Sequence, residues 1–326
     1  MKVIAFAARK DEEQFFYKYA EKFNIDITLV RKNLSLENVH MAEGYNGVAF
    51  IGSCDMGRKV LEKLNSFGIK YAASRSIGFD NIDLSAAKEL GIKVSNSSYS
   101  PYSVAEFAVM AALMLLRNIP VTLKKISDNE FTLKGLMGRE LRNQTVGIIG
   151  TGRIGKLTAE LFKNFGTKVI AYDIFQNQKD VDYVSLKTLF KESDIISLHM
   201  PLGKENRHII SQESLNLMKD NVIIINTARG ELVNTNDLIE SVKNGKIGGV
   251  FLDTIENENA VFENKNKEEV GANSIIKELN SLKNVIVTPH QAFYSDQAVS
   301  DMVESALTNL DEFERTGDSR NNLIKF

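Results

Sequence analysis

Val146-Gly147-Ile148-Ile149-Gly150-Thr151-Gly152-Arg153-Ile154-Gly155 is the stretch that decides the fold. An apolar strand runs into three spaced glycines, and an amphipathic helical pattern follows over 154–165. Each glycine has its own reason in that context. Gly150 permits the tight turn, Gly152 lets backbone approach a pyrophosphate, and Gly155 allows close helix–strand packing. The helix start, carrying Arg153 and Ile154, adds unpaired N–H groups and a positive dipole end. The next apolar strand, 168–173, ends at Asp173, where an acid accepts hydrogen bonds from the adenosine ribose hydroxyls. That carboxylate repels a 2′-phosphate, and no Arg or Lys lies between positions 174 and 178 to attract one. The stretch therefore predicts a dinucleotide site selective for NAD(H).

Outward from this motif, short apolar strands alternate with helical patterns in two series. The later series continues with strands at 195–199, 222–226, 249–253 and 285–288. The earlier one has strands at 3–8, 27–30, 47–51, 69–74 and 93–95, with helical patterns at 12–23, 36–43, 56–67 and 84–90. Such alternation predicts α/β architecture, parallel sheets with helices on both faces. The chain has 326 residues, roughly twice the ~150 of one domain, so two domains are expected. The series break at Ser98-Tyr99-Ser100-Pro101. Residues 103–117 then read as a helix apolar almost all round, buried either at a seam between domains or subunits or in one domain's core. The charged stretch 256–269 reads as a solvated loop.

Composition excludes several classes. Lys plus Arg total 40 against 42 Asp plus Glu, a net charge of −2, so no basic excess exists for a nucleic-acid backbone. One cysteine, Cys54, allows neither an internal disulfide nor a cysteine-based zinc site, which fits a reducing cytoplasm, and no metal is expected. The N-terminal apolar run is too short for a signal peptide, and the longest apolar stretch, 107–116, is too short for a membrane span. The chain reads as a soluble cytoplasmic protein.

Hydride transfer to a carbonyl needs an acid to protonate the oxygen and a cation to polarise and hold the substrate. Of four histidines, His40 and His208 sit in polar surroundings and read as surface residues. His199 ends a strand of the nucleotide fold. His290 follows Thr288-Pro289 at a strand's C-terminal end, where open parallel sheets bind ligands. Taken alone, it is either a structural histidine or a proton donor. Arg229 likewise emerges after the strand 222–225, as a two-pronged carboxylate binder or as a surface ion pair. Asp253 ends the next strand, Glu256 and Glu258 follow it, and a carboxylate bonded to imidazole orients the ring and favours its charged form.

These residues resemble the NAD-dependent D-2-hydroxyacid dehydrogenases, D-lactate dehydrogenase branch, over essentially the whole chain. The marks are Arg75-Ser76-Ile77-Gly78, Tyr99-Ser100-Pro101, the glycine motif, Asn226–Gly230, Leu252–Glu258 and Thr288-Pro289-His290-Gln291-Ala292-Phe293-Tyr294. The resemblance implies two Rossmann-like, doubly wound domains with the active site in the cleft between them. It implies a discontinuous substrate domain, 1–99 plus 294–326, and an NAD-binding domain, 100–293. It also implies a catalytic triad. Arg229 binds the 2-oxo acid, His290 donates the proton, and Glu258, chosen over Glu256 by the family spacing from Asp253, orients and charges His290. Backbone N–H groups of Ile77 and Gly78 and the Tyr99 hydroxyl grip the carboxylate, with Phe293 near the substrate side chain. Met200, Pro201, Asn206, Thr227, Ala228 and Asp253 join the glycine motif and Asp173 around NAD. A homodimer through the NAD-binding domains is implied as well. Pyruvate reduction to D-lactate is the first expectation, with 2-oxoisocaproate or phenylpyruvate as alternative substrates. Glycine at position 52 offers no charge for a dicarboxylic acid. The alternative of another class is an NAD-sensing regulatory protein on the same fold.

Overall fold

The computed structural model describes residues 1–258, 261 and 274–324. The chain divides into two compact units, Met1–Ser100 with Tyr294–Phe326, and Pro101–Phe293.

In the first unit, strands β1 (Lys2–Ala5), β2 (Asp26–Leu29), β3 (Gly47–Phe50), β4 (Tyr71–Ser74) and β5 (Lys93–Ser95) form a parallel sheet in the order β2-β1-β3-β4-β5. Period-two alternation sorts the core between its faces. Val3, Ala5, Ala49 and Ala73 meet the helices Glu13–Phe23 and Asp296–Thr316. On the opposite face Ile4, Val48, Phe50 and Ala72 meet Arg58–Ser66 and Leu84–Glu89. The expected strand 3–8 stops at Ala5 because Ala7 takes a left-handed φ of 53°. The expected helix 36–43 shrinks to one 3₁₀ turn, Val39–Ala42.

In the second unit, β6 (Thr145–Ile149), β7 (Lys168–Tyr172), β8 (Ile195–Leu198), β9 (Val222–Asn226), β10 (Ile247–Leu252) and β11 (Val285–Val287) are parallel, in the order β11-β10-β9-β8-β6-β7. A single bridge, Ala171 to Tyr183, extends pairing beyond β7. The order reverses at β6, so the crevice for a ligand opens at its C-terminal end. The all-apolar helix is Tyr102–Leu116, and it lies in this unit's core with Arg153–Asn164 against Ile148, Ile223, Ile225 and Phe251. No single helix among the described residues is long and apolar enough to cross a membrane. Most of the loop expected at 256–269 lies outside the described residues.

Candidate active site

The glycine motif sits at the C-terminal end of β6. Gly150 has φ 92°, and a Cβ there would press on the backbone of His199 and Met200. A Cβ on Gly155 would overlap the Gly150 carbonyl, whereas around Gly152 the space is open. Gly152 is the N-cap of Arg153–Asn164 and supplies no side-chain cap, as suits a helix start that faces an anion. By contrast, Asn234 and Ser295 cap their helices with side-chain oxygens. Asp173 is half-buried at the end of β7. Its Oδ2 accepts the Thr151 N–H at 2.6 Å and hydroxyl at 3.0 Å, and its Oδ1 accepts the Phe175 N–H at 2.8 Å. The carboxylate thus fastens the glycine turn to the next strand. Thr227 Oγ1, just past β9, is buried with no protein partner among the described residues, a polar atom suited to a bound cofactor. The open glycine turn, the uncapped helix start and this hydroxyl fit a dinucleotide.

Other residues expected around the cofactor have structural bonds. Asn206 donates to the Pro201 carbonyl at 2.8 Å and to Met200 Sδ at 3.1 Å, and accepts the Gly203 N–H at 2.7 Å, which shapes the loop after β8. Ala228 is buried and its N–H donates to Asn226 Oδ1 at 3.0 Å. Asp253 is fully buried, and its two oxygens accept the Thr288 hydroxyl (2.6 Å) and the N–H groups of Gln291 (2.8 Å) and Ala292 (2.9 Å). Its visible work is to clamp the turn that carries His290.

That turn places His290 at a left-handed φ of 53°, with its N–H on the Asp253 carbonyl at 2.9 Å. A non-glycine residue holds such a conformation only where neighbours over-determine it. His290 Nδ1 donates to Glu258 Oε1 at 2.6 Å. A carboxylate only accepts, so this bond fixes the ring and leaves Nε2 for chemistry. The ring also meets Phe293 edge-on, with centroids 6.2 Å apart.

Arg229 follows β9, where Asn226 Nδ2 donates to its carbonyl at 2.8 Å and its own Nη1 donates to the Ala228 carbonyl at 2.7 Å. Next to it, a Cβ on Gly230 would collide with Ile255 and the Glu256 nitrogen, so the Arg229 turn lies directly on the segment leading to Glu258. Glu256 has a different partner from Glu258. Its Oε1 takes the His208 ring at 2.7 Å, and its Oε2 takes the Thr235 N–H and hydroxyl at 3.0 and 2.9 Å. Burial opposes its charge, but the bonds to His208 and Thr235 outweigh that and hold its pKa below the usual carboxylate value. His208, read from sequence as a surface residue, is therefore a half-buried anchor for this loop.

In the first unit, Ile77 and Gly78 follow β4, and Asn96 Nδ2 holds the Ile77 carbonyl at 2.8 Å. No acceptor for the N–H groups of Ile77 and Gly78 occurs among the described residues. Tyr99 is half-buried in the segment after β5.

His199 packs beneath the glycine motif with Nε2 on the Ser197 hydroxyl at 2.8 Å, and burial lowers its pKa to about 3. The unfolded chain binds this proton below about pH 6.5 and the folded one does not, so acidification favours unfolding across the window from 6.5 towards 3. We expect a loss on the order of 2 kcal/mol by about pH 4.5 that His199→Gln removes. Urea unfolding of both proteins at neutral and acid pH checks this, and parallel losses count against it.

A family model described as "D-isomer specific 2-hydroxyacid dehydrogenase, NAD binding domain" matches residues 109–292. The chain is 46% identical over 329 residues to an aromatic 2-oxoacid reductase of Clostridium sporogenes (strain ATCC 15579), covering 99% of each chain. It is 37% identical to a D-lactate dehydrogenase of Lactiplantibacillus plantarum (strain ATCC BAA-793 / NCIMB 8826 / WCFS1), covering 97% of each. Among solved structures, a D-2-hydroxyisocaproate dehydrogenase superposes with a TM-score of 0.91 at 39% identity, covering 99% of each chain. With the glycine cradle already fitted to a dinucleotide, these matches place the chain in the D-isomer specific 2-hydroxyacid dehydrogenase family, as an NAD-dependent oxidoreductase.

Proposed function

We propose that this dehydrogenase reduces 2-oxo acids with a bulky, aromatic tail to D-2-hydroxy acids, the phenyllactate-type reaction. The observation that carries the tail is Gly52. Its N–H donates to Ser76 Oγ at 3.0 Å, so a position without a side chain adjoins the turn 76–78. A Cβ there would meet only Ser76 Oγ, at 3.5 Å, which leaves room beside the groups assigned to the carboxylate. Cys54 does not take that room, because it is buried and accepts the Leu34 N–H at 3.3 Å. The similarity to an aromatic 2-oxoacid reductase moves the first choice from pyruvate to this class. Pyruvate is the second reading, on the D-lactate dehydrogenase relative.

In this mechanism the N–H groups of Ile77 and Gly78 and the Tyr99 hydroxyl hold the substrate carboxylate. Arg229 binds the same carboxylate and polarises the ketone, stabilising the charge that grows on its oxygen. When bound, NADH supplies the hydride. His290 gives a proton from Nε2 to the ketone oxygen, and Glu258, on Nδ1, fixes the ring and balances its charge. Phe293 borders the substrate side chain. Arg153, Ile154, Asp173, Met200, Pro201, Thr227 and Ala228 hold the cofactor, and Asp253 holds the His290 turn beside it.

A homodimer through the second unit, in a cytoplasmic setting, accompanies this reading. Its support is exposed apolar surface at Leu123, Ile126, Phe131, Leu133 and Met137, more than an isolated surface favours. A sedimentation mass of 36.4 kDa, that of one chain, would overturn it.

The direct experiment follows NADH oxidation with phenylpyruvate, 2-oxoisocaproate, pyruvate and 2-oxoglutarate, with product chirality checked. We expect the highest kcat/KM for phenylpyruvate. Gly52→Tyr should lower the phenylpyruvate-to-pyruvate ratio by roughly 10-fold or more, since a filled pocket rejects a larger tail. An unchanged ratio removes Gly52 from tail selection. A pyruvate optimum moves the substrate and keeps the mechanism. NADH binding without turnover on any of the four favours an NAD-sensing protein.

A further inference from the structure

We propose that Arg75 is a positioning residue for the substrate carboxylate, holding the turn 76–78 so that the N–H groups of Ile77 and Gly78 converge. The proposal rests on the reading of those two groups as the carboxylate grip.

Arg75 is fully buried, the largest such side chain among the described residues. Its Nη1 donates to Glu12 Oε1 at 2.6 Å, and Glu12 is fully buried too. Its Nη2 donates to the carbonyls of Phe6 at 2.6 Å and Ala7 at 3.1 Å, and its guanidinium lies 5.1 Å from the centre of the Phe16 ring. A buried ion pair is costly to desolvate, and an apolar side chain of similar volume often stabilises a fold as well or better. Packing alone therefore gives no reason for an arginine here.

The bonds give one. β1 ends at Ala5, and the left-handed turn at Ala7 leaves two carbonyls pointing inward past the end of the sheet. Buried carbonyls need donors. A planar fork reaches both carbonyls and a carboxylate at once, which a lysine ammonium does not. Glu12 is secured from its other side by the Arg9 N–H, 2.8 Å from Oε2. Arg75 thereby ties the end of β1 and the Glu12 turn to the end of β4.

The backbone beyond Arg75 is pinned as thoroughly. The Arg75 N–H donates to the Phe50 carbonyl at 2.7 Å, and the Ser76 carbonyl accepts the Ser97 N–H at 2.9 Å. Ser76 Oγ accepts the Gly52 N–H at 3.0 Å, and the Ile77 carbonyl accepts from Asn96 at 2.8 Å. Each bond fixes the turn while the N–H groups of Ile77 and Gly78 are left for a ligand. The guanidinium anchors the root of that turn, so loosening it misaims both donors together.

The test is Arg75→Lys, read in steady-state kinetics with the best 2-oxo acid, NADH titration and thermal unfolding. We expect KM for the 2-oxo acid to rise about tenfold or more, because misplacement of positioning groups by about an ångström is costly. We expect kcat to change by less than about threefold and NADH affinity to stay unchanged, the signature of lost uniform substrate binding. Glu12→Gln removes the charge but keeps an acceptor, and it carries the same expectation if Arg75→Lys does not fold. Arg58→Ala, which removes the exposed 2.8 Å pair with Glu89 in the same unit, should leave KM unchanged. A lower Tm with unaltered KM in the Arg75 or Glu12 variant overturns the proposal and makes the pair a fold staple only. If the wild-type protein reduces no 2-oxo acid, the carboxylate reading fails and takes this proposal with it. Wild-type turnover with KM unmoved in the variants defeats the proposal alone.

Discussion

Replacing His290 by Gln should lower kcat by roughly 10²–10⁴-fold while NADH binding persists. Glutamine fills much of the imidazole's place and can still donate to Glu258, but it cannot deliver a proton to a ketone. The turn beneath the ring does not depend on the ring. Asp253, fully buried, holds Thr288, Gln291 and Ala292 through three hydrogen bonds of 2.6–2.9 Å. The His290 backbone bond to the Asp253 carbonyl, 2.9 Å, also survives the substitution. The loss therefore reports proton transfer and not a collapsed loop. Steady-state turnover combined with fluorescence titration of NADH separates the two. Near-normal kcat with intact NADH binding would remove His290 from the reaction.

Much of this architecture was legible because its signals are local. Strands β5 and β9 coincide with their sequence readings at Lys93–Ser95 and Val222–Asn226, the latter an apolar run that stops at Asn226. The glycine motif is legible for the same reason, since strand, turn and helix follow one another without interruption from Thr145 to Asn164. The polar 36–43 segment departs from its helical expectation because it lacks an apolar face long enough to hold a helix, and a single 3₁₀ turn is what remains. The terminal helix Asp296–Thr316 lies outside the two strand–helix series, and its local signals are Ser295 as start and Gly317, at φ 80°, as stop.

At the site, two acids two residues apart could not be sorted by local rules. The fold sorts them by bringing distant histidines to each, His208 to Glu256 and His290 to Glu258. The Arg75–Glu12 pair joins residues 63 positions apart, and neither one's burial is visible in its neighbours. Asp253 carried a cofactor expectation, yet its three bonds to the His290 turn appear only once β10 and β11 lie side by side. Long-range polar pairing is what sequence periodicity leaves out.

Arg229→Lys should lower kcat/KM by roughly 10²–10³-fold, with kcat falling as well as affinity. Lysine keeps the charge, so a loss of this size isolates geometry. The guanidinium donates Nη1 to the Ala228 carbonyl at 2.7 Å, and its donors are set in a fixed planar fork. An ammonium that took over the Ala228 bond would meet the substrate as a single point. The turn itself is set by Asn226, which bonds the Arg229 carbonyl and the Ala228 N–H at 2.8 and 3.0 Å, and by the close seat of Gly230 on Ile255. None of these involves the guanidinium, so the variant should fold and bind NADH normally. The division of the loss then identifies what Arg229 does. A fall in kcat means the fork stabilises charge on the ketone oxygen in the transition state. A rise in KM at constant kcat means it only holds the carboxylate, and polarisation then falls to the His290 proton alone.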